Sequence, residues 1–188
     1  GIQIAKKMGL FVVVSDINPE APGFKIADDS IISSTYDIQK TVQAAQKYNK
    51  SVRHIDGVIC IATDVPLTVA NVTASLQLPG ITIESGLLSS DKLAMKKRFS
   101  RDNIAVPWFN QINSLEDLHK VIGDRGYPMI LKPVDSCGAR GVLRLTPDTD
   151  LGWAYDVSKH YSPTGRVMVE TFLSGPQIST ESILLNGI

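Results

Sequence analysis

One stretch of nineteen residues, YPMILKPVDSCGARGVLRL from Tyr127 to Leu145, restricts the fold more than any other part of the sequence. Its two apolar runs, at 129–131 and 142–145, have the composition of paired strands. The connection between them uses about eight residues, whereas a turn that only reverses the chain needs two to five. The stretch therefore predicts an antiparallel hairpin whose long, glycine-containing loop serves a purpose beyond chain reversal.

The composition is that of an ordinary globular protein, with 43% hydrophobic and 20% charged residues. Lys plus Arg and Asp plus Glu both number 19, so no net charge attracts the chain to nucleic acid or an anionic membrane. No membrane span or signal peptide is visible. Cys60 and Cys137 lack metal or redox spacing, which predicts free thiols in the cytoplasm. A helix-like start without Met and a stop after an apolar run predict a fragment cut at both ends.

Residues 1 to about 85 alternate between predicted strands and predicted helices. Strands are predicted at 10–14 (LFVVV), 30–32 and 57–62 (GVICIA). Helices are predicted before Gly9, from Ile38 and at 65–76, where Pro66 suits the first turn. LFVVV and GVICIA are apolar throughout and are predicted to be buried. This alternation is typical of a parallel, doubly wound α/β sheet.

From Ser89 onward the pattern changes. Helices are predicted at 89–102, 114–126 and 146–161, and strands, besides the hairpin, at 166–173 and 177–185. Ser114 and Asp117 match a capping box at the start of the second helix. The apolar stripe of that helix consists of Leu115, Leu118, Val121 and Ile122.

The hairpin loop suits an anion. Gly138 and Gly141 let backbone N–H groups approach a phosphate without an intervening side chain. Lys132, at the end of the first strand, can place its ammonium group on the same phosphates. The alternative is a mobile surface loop beside a lysine that extends into solvent.

Three segments follow one another in the second half: SSDKLAMKKRFSRDNIAVPWF, YPMILKPVDSCGARGV and VMVETFLSGPQISTES. Together they resemble the nucleotide-binding segments of the ATP-grasp superfamily, in which the hairpin folds over the nucleotide phosphates and the third segment lines the adenine and ribose pocket. Three motifs in order over roughly 100 residues argue against chance. The resemblance implies that this half is part of an α+β ATP-grasp fold.

The first half carries a less specific resemblance in VSDINPEAPGFKIADDSI. It is similar to the small α/β domain that precedes the ATP-grasp fold in biotin carboxylase, carbamoyl phosphate synthase and N5-carboxyaminoimidazole ribonucleotide synthetase. The resemblance implies a Rossmann-like pre-ATP-grasp domain with a parallel sheet at 1–88. The N-terminal part of the ATP-grasp domain would follow at 89–188, with the nucleotide-binding lid subdomain at about 125–173.

The resemblance also implies a set of nucleotide contacts: Lys92, Lys96, Lys132, Ser136, Gly138, Ala139, Gly141, Glu170, Thr171, Phe172, Leu173, Gln177 and Glu181. Lys132 would contact the phosphates, and either Lys92 or Lys96, four residues apart on one helical face, would supply a second cation. Residues 170–173 would read adenine largely through backbone groups, with the Glu170 carboxylate able to accept from the exocyclic amine.

Several of these residues have a simpler explanation. Lys92 and Lys96 fit a solvated helix face, and Glu170 fits an ordinary charge at a strand end. Gln177 stands where relatives often carry a ribose-binding glutamate; its amide can still bond a hydroxyl, and Glu181 is an alternative carboxylate. Cys137 is interpreted as a buried small residue rather than a reactive thiol.

The resemblance implies an ATP-dependent ligase that activates a carboxylate as an acyl phosphate for attack by an amine or similar nucleophile. It implies ATP and Mg²⁺, small-molecule substrates, and leaves a homodimer open. The Mg²⁺ ligands are expected downstream, so this fragment alone is expected to be inactive. One alternative is a non-catalytic, nucleotide-binding regulatory module. Another is a dinucleotide-binding domain, in which Asp16 after the second parallel strand would bind ribose hydroxyls.

Overall fold

A computed structural model of the protein describes residues 1–61, 63–180 and 182. These residues form two compact units. Unit 1 consists of Gly1–Ala105 together with the loop Val134–Arg140, and unit 2 consists of Val106–Pro133 and the described residues from Gly141 onward. Within the described ranges, no helix is both long and apolar enough to cross a membrane.

Unit 1 contains a two-stranded parallel sheet, β1 (Val13–Asp16) and β2 (Asp29–Ile32). Helix α1 (Ile2–Lys7) precedes β1, and a short 3-10 helix, Pro22–Lys25, lies between the two strands. The other helices of this unit are α2 (Ile38–Ser51), α3 (Pro66–Ser75), α4 (Ile83–Ser90) and α5 (Lys92–Arg101). The predicted short strand and the helices predicted from Ile38 and at 65–76 are confirmed.

The strand predicted at 10–14 begins later than expected. Leu10 and Phe11 are exposed, and pairing starts only where Val13 meets Asp29, the first residue of β2. The length of the partner strand thus limits β1.

The strand predicted at 57–62 is wrong for the residues that the structure describes. Residues 57–61 form no strand, and the side chains of Ile59 and Ile61 are 80% and 68% exposed. A strand needs a neighbour for its backbone N–H and C=O groups, and among the described strands β1 pairs only with β2. An apolar run alone therefore does not make a strand here.

Asp91 separates two helices where the sequence predicts one. It ends α4 and caps α5, accepting a backbone hydrogen bond of 2.8 Å in the first turn of α5. Ser89 and Ser90, expected to start α5, belong to α4 instead. Thr82 caps α4 through its side chain. Residues on both sides of the domain boundary predicted after residue 88 lie in α4, and that boundary stays a prediction.

Unit 2 contains a four-stranded antiparallel sheet in the order β3-β6-β4-β5. The strands are β3 (Phe109–Ile112), β4 (Met129–Pro133), β5 (Leu143–Leu145) and β6 (Val167–Thr171), and the helices are α6 (Leu115–Arg125) and α7 (Leu151–His160). The β4–β5 hairpin, both helices and β6 are confirmed. Strand β3 is not foreseen, because it has four residues and two of them are polar.

The core of unit 2 joins one face of this sheet to α6 and α7. Its central members are Leu118, Leu131, Leu145, Val167 and Val169, all fully buried. The buried stripe of α6 is confirmed at three positions, with Leu115 packed at its border. Ser114 caps α6 by accepting from the backbone N–H of Asp117 at 3.2 Å, as predicted.

The strand predicted at 177–185 falls largely outside the described residues. Residues 177–180, which the structure describes, form no strand, and Ile178 is exposed. The remaining described residue, Ser182, is not in a strand either. This prediction is therefore wrong for the described part.

Candidate functional site

The predicted nucleotide contacts are distributed over both units. Unit 1 holds Lys92, Lys96, Ser136, Gly138 and Ala139, and unit 2 holds Lys132, Gly141, Glu170, Thr171, Phe172, Leu173 and Gln177. Glu181 lies outside the described residues.

In unit 2, the sheet turns two different faces to its surroundings. The odd-numbered residues of β4 are buried in the core, whereas Ile130 and Lys132, which alternate with them, lie half-buried on the opposite face. In the strand register, Ile130 is opposite Glu170 of β6 and also opposite Arg144 of β5. Paired residues share a face. Lys132, Glu170 and Arg144 therefore lie together on the face that does not pack against α6 and α7.

Lys132 and Glu170 form an ion pair on this face. The ammonium Nζ of Lys132 donates to Oε1 of Glu170 at 2.5 Å, and the side chains are 15% and 12% exposed. The alternative that Lys132 extends into solvent is therefore wrong. The structure brings together the residue assigned to the phosphates and the residue assigned to the adenine amine.

At the end of β6, few backbone N–H groups are available to bind a base. Thr171 N–H donates to the carbonyl of Trp108 at 2.9 Å, and Phe172 N–H donates to the carbonyl of Pro128 at 3.4 Å. Leu173 is exposed, and its N–H makes no hydrogen bond to another described residue. Of the three N–H groups from Thr171 to Leu173, only that of Leu173 makes no hydrogen bond to another described residue.

Phe172 is stacked by a cation that the sequence reasoning did not single out. The guanidinium of Arg144 lies 4.3 Å from the centre of the Phe172 ring. The alternation of Leu143, Arg144 and Leu145 in a short strand was a usable signal, because it places Arg144 opposite the core. Phe172 is thereby held against β5.

In unit 1, Lys92 is bound to the hairpin loop. Its backbone N–H donates to the carbonyl of Val134 at 2.9 Å, and its ammonium group donates to the carbonyl of Ser136. Lys96 is only 7% exposed on α5, so the alternative of a solvated helix face is wrong for Lys96. Lys92 thus contacts the loop, and Lys96 is enclosed one turn further along.

Gly138 and Gly141, the two glycines of the hairpin loop, are glycine for different physical reasons. Gly141 has φ +71°, and a Cβ there would lie 2.9 Å from side-chain atoms of both Pro133 and Tyr161. Its carbonyl accepts from the buried Ser158 hydroxyl at 2.7 Å. Gly138 has φ +64°, and no described atom outside its chain neighbours lies within 4 Å of the place that a Cβ would take, so its backbone is open to an approaching group. Glycine at 141 therefore permits close packing against Pro133 and Tyr161, whereas the backbone at Gly138 is accessible to a ligand.

Ala139 continues the left-handed backbone of Gly138, with φ +57°. Arg140 follows as an exposed cation in the loop, and it donates to the carbonyl and the sulfur of Cys137, at 3.2 and 3.1 Å. Cys137 is half-buried and, like Cys60, forms no disulfide. The interpretation of Cys137 as a small, enclosed residue therefore holds only in part.

Gln177 and Asp16 are the remaining candidates among the described residues. Gln177 is exposed beyond β6. Asp16 at the end of β1 accepts from the backbone N–H of Asn18 at 2.8 Å, a local turn. Within the described ranges, no group of three or more His, Cys, Asp or Glu side chains could hold a metal ion.

A pocket of about 390 Å³ in unit 2 lies along α6 and β3, beside Trp108, Lys120 and Arg125. The Arg125 guanidinium stacks on the Trp108 ring at 3.8 Å. None of the predicted nucleotide contacts lines this pocket. Its volume is therefore no guide to the predicted site.

No protein-family model matches the chain. Curated relatives include formate-dependent phosphoribosylglycinamide formyltransferases. That of Nitratidesulfovibrio vulgaris is 24% identical over 180 residues, covering 90% of this chain and 43% of the relative. That of Pseudomonas putida is 28% identical over 174 residues, covering 89% of this chain and 42% of the relative. The chain thus spans about two fifths of the length of the curated relatives it matches.

Solved structures match over nearly the whole chain. The L-amino acid ligase from Bacillus licheniformis has a TM-score of 0.73 at 20% identity, covering 93% of this chain and 41% of that one. The N5-carboxyaminoimidazole synthetase from Staphylococcus aureus, complexed with ADP, has a TM-score of 0.67 at 22% identity, covering 92% and 43%. The MgADP-bound biotin carboxylase domain of Hydrogenobacter thermophilus 2-oxoglutarate carboxylase has a TM-score of 0.69 at 16% identity, covering 92% and 41%.

These matches confirm the resemblance that the three motifs carry: the chain is related to the ATP-grasp enzymes. Its parallel sheet, antiparallel sheet and helices fit the fold of those proteins. These matches favour neither the non-catalytic regulatory module nor the dinucleotide-binding domain.

Proposed function

We propose that the full-length protein is an ATP-dependent ligase and that this chain supplies part of its nucleotide site. The observation that carries the proposal is the enclosed ammonium group of Lys132, on the face of β4 that does not pack against α6 and α7. A cation fixed there has the charge that a polyphosphate needs. The relationship to ATP-grasp enzymes supports the same interpretation.

In the proposed site, Lys132 binds the phosphates and residues 170–173 bind adenine. The N–H of Leu173, an exposed residue, donates to a ring nitrogen of the base, and a neighbouring backbone carbonyl accepts from the exocyclic amine. Backbone N–H groups around Gly138, together with Lys92 or Lys96, remain predicted phosphate contacts. Gln177 and Glu181 remain predicted ribose contacts.

The proposed reaction has two steps. A carboxylate oxygen attacks the γ-phosphorus of ATP, which forms an acyl phosphate and releases ADP. An amine then attacks the acyl carbon, the bond to the phosphate oxygen breaks, and the nitrogen loses a proton. Charge neutralisation and positioning dominate such chemistry, and a fixed lysine contributes to both. The Mg²⁺ ligands remain predicted downstream, since the described residues contain no group of three or more His, Cys, Asp or Glu side chains that could hold a metal ion.

The similar proteins suggest two classes of carboxylate substrate. One relative is formate-dependent, and one structural neighbour is an L-amino acid ligase. The test therefore incubates the full-length protein with ATP, hydroxylamine and either formate or single L-amino acids. Hydroxylamine attacks acyl phosphates to give hydroxamates, which can be quantified. Carboxylate-dependent hydroxamate and ADP support a ligase.

The regulatory alternative gives a different result in the same experiment. A binding module would bind ATP in calorimetry without producing ADP or hydroxamate with either carboxylate class. Failure of the full-length protein to bind ATP at all would contradict both candidates.

A further inference from the structure

Glu170 contacts a different group from the one that its expected role implies. As an adenine reader, its carboxylate would point toward the base. In the structure, Oε1 instead accepts from Lys132 at 2.5 Å, and Oε2 is buried. The carboxylate is thus directed at a cation on the neighbouring strand.

The strand register shows why the two residues meet. Ile130 and Glu170 are opposite each other, and so are Lys132 and Met168. Lys132 is therefore the diagonal neighbour of Glu170 on the same face, at a separation that long side chains can span. The two side chains are nearly enclosed, at 15% and 12% exposure, so solvent screens their attraction weakly.

A lysine needs such a restraint more than most residues. Its ammonium group is carried on a flexible four-carbon chain, and fixing that chain costs much of its rotamer entropy. A carboxylate that holds the ammonium group before a ligand arrives removes this cost from binding. The ammonium group has three N–H donors, so the bond to Glu170 leaves others for phosphate oxygens.

We propose that Glu170 is a positioning residue that fixes the Lys132 ammonium group for the nucleotide phosphates and does not read the base. This inference rests on the proposed function, because it assumes that Lys132 contacts phosphate. It assigns base recognition to the backbone at Leu173 and a different task to the carboxylate.

The test compares ATP with adenosine, which keeps the base and ribose but lacks the phosphates. Calorimetry on the full-length protein would measure both ligands for wild type and Glu170→Gln. The expected result is about tenfold weaker ATP binding in the variant, with adenosine binding unchanged. Glu116→Gln, an exposed residue in the first turn of α6, is the matched control and should change neither.

A double-mutant cycle sharpens the test. Lys132→Met removes the ammonium group, and the Lys132→Met/Glu170→Gln protein removes both charges. If Glu170 acts through Lys132, adding Glu170→Gln to Lys132→Met should cause no further loss of ATP affinity. Losses that add would overturn the proposal.

One further measurement and one substitute variant control for effects on folding. Removing one partner of an enclosed ion pair can destabilise a protein strongly, whereas removing both often does not. Thermal unfolding therefore accompanies each titration. If Glu170→Gln is unfolded, Glu170→Asp replaces it; this variant keeps the charge but is one methylene too short to hold Lys132, and the same ATP-selective loss is expected.

The outcomes separate this inference from the proposed function. Equal losses for ATP and adenosine would assign the carboxylate to the base and overturn the proposal. Unchanged or tighter ATP binding in Glu170→Gln or Glu170→Asp would also overturn it, because no positioning would then be lost. A wild-type protein that binds adenosine and ATP equally well would contradict the phosphate role of Lys132 and thus the proposed function itself.

Discussion

The two sheets of this protein differ in how well the described residues around them cover apolar side chains. The four-stranded antiparallel sheet of unit 2 has a continuous core against α6 and α7. Within the described residues, the parallel sheet of unit 1 has two strands, and several large apolar side chains of that unit, including Ile4, Met8, Ile59 and Ile61, are exposed.

The difference has a consequence for function. Lys132, Glu170 and Leu173 all belong to unit 2, whose sheet packs against α6 and α7. A site that must hold groups to within a fraction of an ångström benefits from such support. Four experiments can break or sharpen this comparison, beginning with the largest expected effect.

The first compares a core residue of unit 2 with an exposed residue of unit 1. Leu118→Ala removes a fully buried side chain, and the free energy of unfolding should fall by about 2–5 kcal/mol. Ile59→Ala alters a side chain that is 80% exposed and should change it by less than about 0.5 kcal/mol. Chemical denaturation of the two variants measures both values. Similar losses would mean that Ile59 is packed in solution and that the contrast between the units is wrong.

The second concerns Lys132. Lys132→Ala removes a charge-assisted contact with phosphate worth about 1.5–3 kcal/mol, so ATP affinity should fall roughly 10- to 150-fold and turnover should nearly vanish. Stability should fall as well, because Glu170 loses its ion pair with Lys132. Calorimetry and unfolding curves separate the two effects.

Lys120→Ala is the matched control, since Lys120 is an exposed lysine on α6 of the same unit. It should bind ATP like the wild type. Unchanged ATP affinity and wild-type turnover in Lys132→Ala would contradict the phosphate assignment.

The sequence predicts those elements whose signals are local, and it fails for those that depend on a distant partner. The β4–β5 hairpin, α6 and its Ser114 cap are predictable, because their signals and partners lie within a few residues. The absence of a strand at 57–61 is not predictable, because an apolar run becomes a strand only beside a neighbour that the run itself does not encode. Ser89 and Ser90 mislead because Asp91, immediately after them, is the residue that caps α5.

The contact between Lys132 and Glu170 is likewise not predictable from local sequence signals. Lys132 and Glu170 can each be identified from a motif, but their contact depends on the register of β4 against β6. A slip of one residue would place the two side chains on opposite faces. Since they are 38 positions apart, nothing local fixes that register. Sequence reasoning therefore assigns them separate ligands where the structure joins them.

The third experiment tests base selection at the end of β6. If Leu173 N–H and a neighbouring carbonyl read adenine, guanine presents the opposite donor and acceptor and leaves both unpaired. Each buried, unpaired group costs about 1–3 kcal/mol, so ATP should bind at least about tenfold more tightly than GTP. Competition titrations give the ratio.

A one-residue insertion between Glu170 and Leu173 should abolish this preference by shifting the backbone register, and a side-chain change at Thr171 should alter it little. Equal ATP and GTP affinities in the wild type would mean that the segment is simply the end of a core strand.

The smallest expected effect distinguishes the two glycines of the hairpin loop. Both have positive φ, so alanine at either position costs roughly 1 kcal/mol of backbone strain. At Gly141 the new methyl group would also meet Pro133 and Tyr161, so Gly141→Ala should lose about 1–3 kcal/mol more stability than Gly138→Ala. At Gly138 the space is open, and a methyl group there would obstruct a phosphate rather than the protein. Gly138→Ala should therefore weaken ATP binding several-fold while adenosine binding stays constant, as calorimetry with both ligands would show. If Gly138→Ala bound ATP like the wild type, the loop backbone would have no part in phosphate binding, and the fixed cation of unit 2 would be left to account for it.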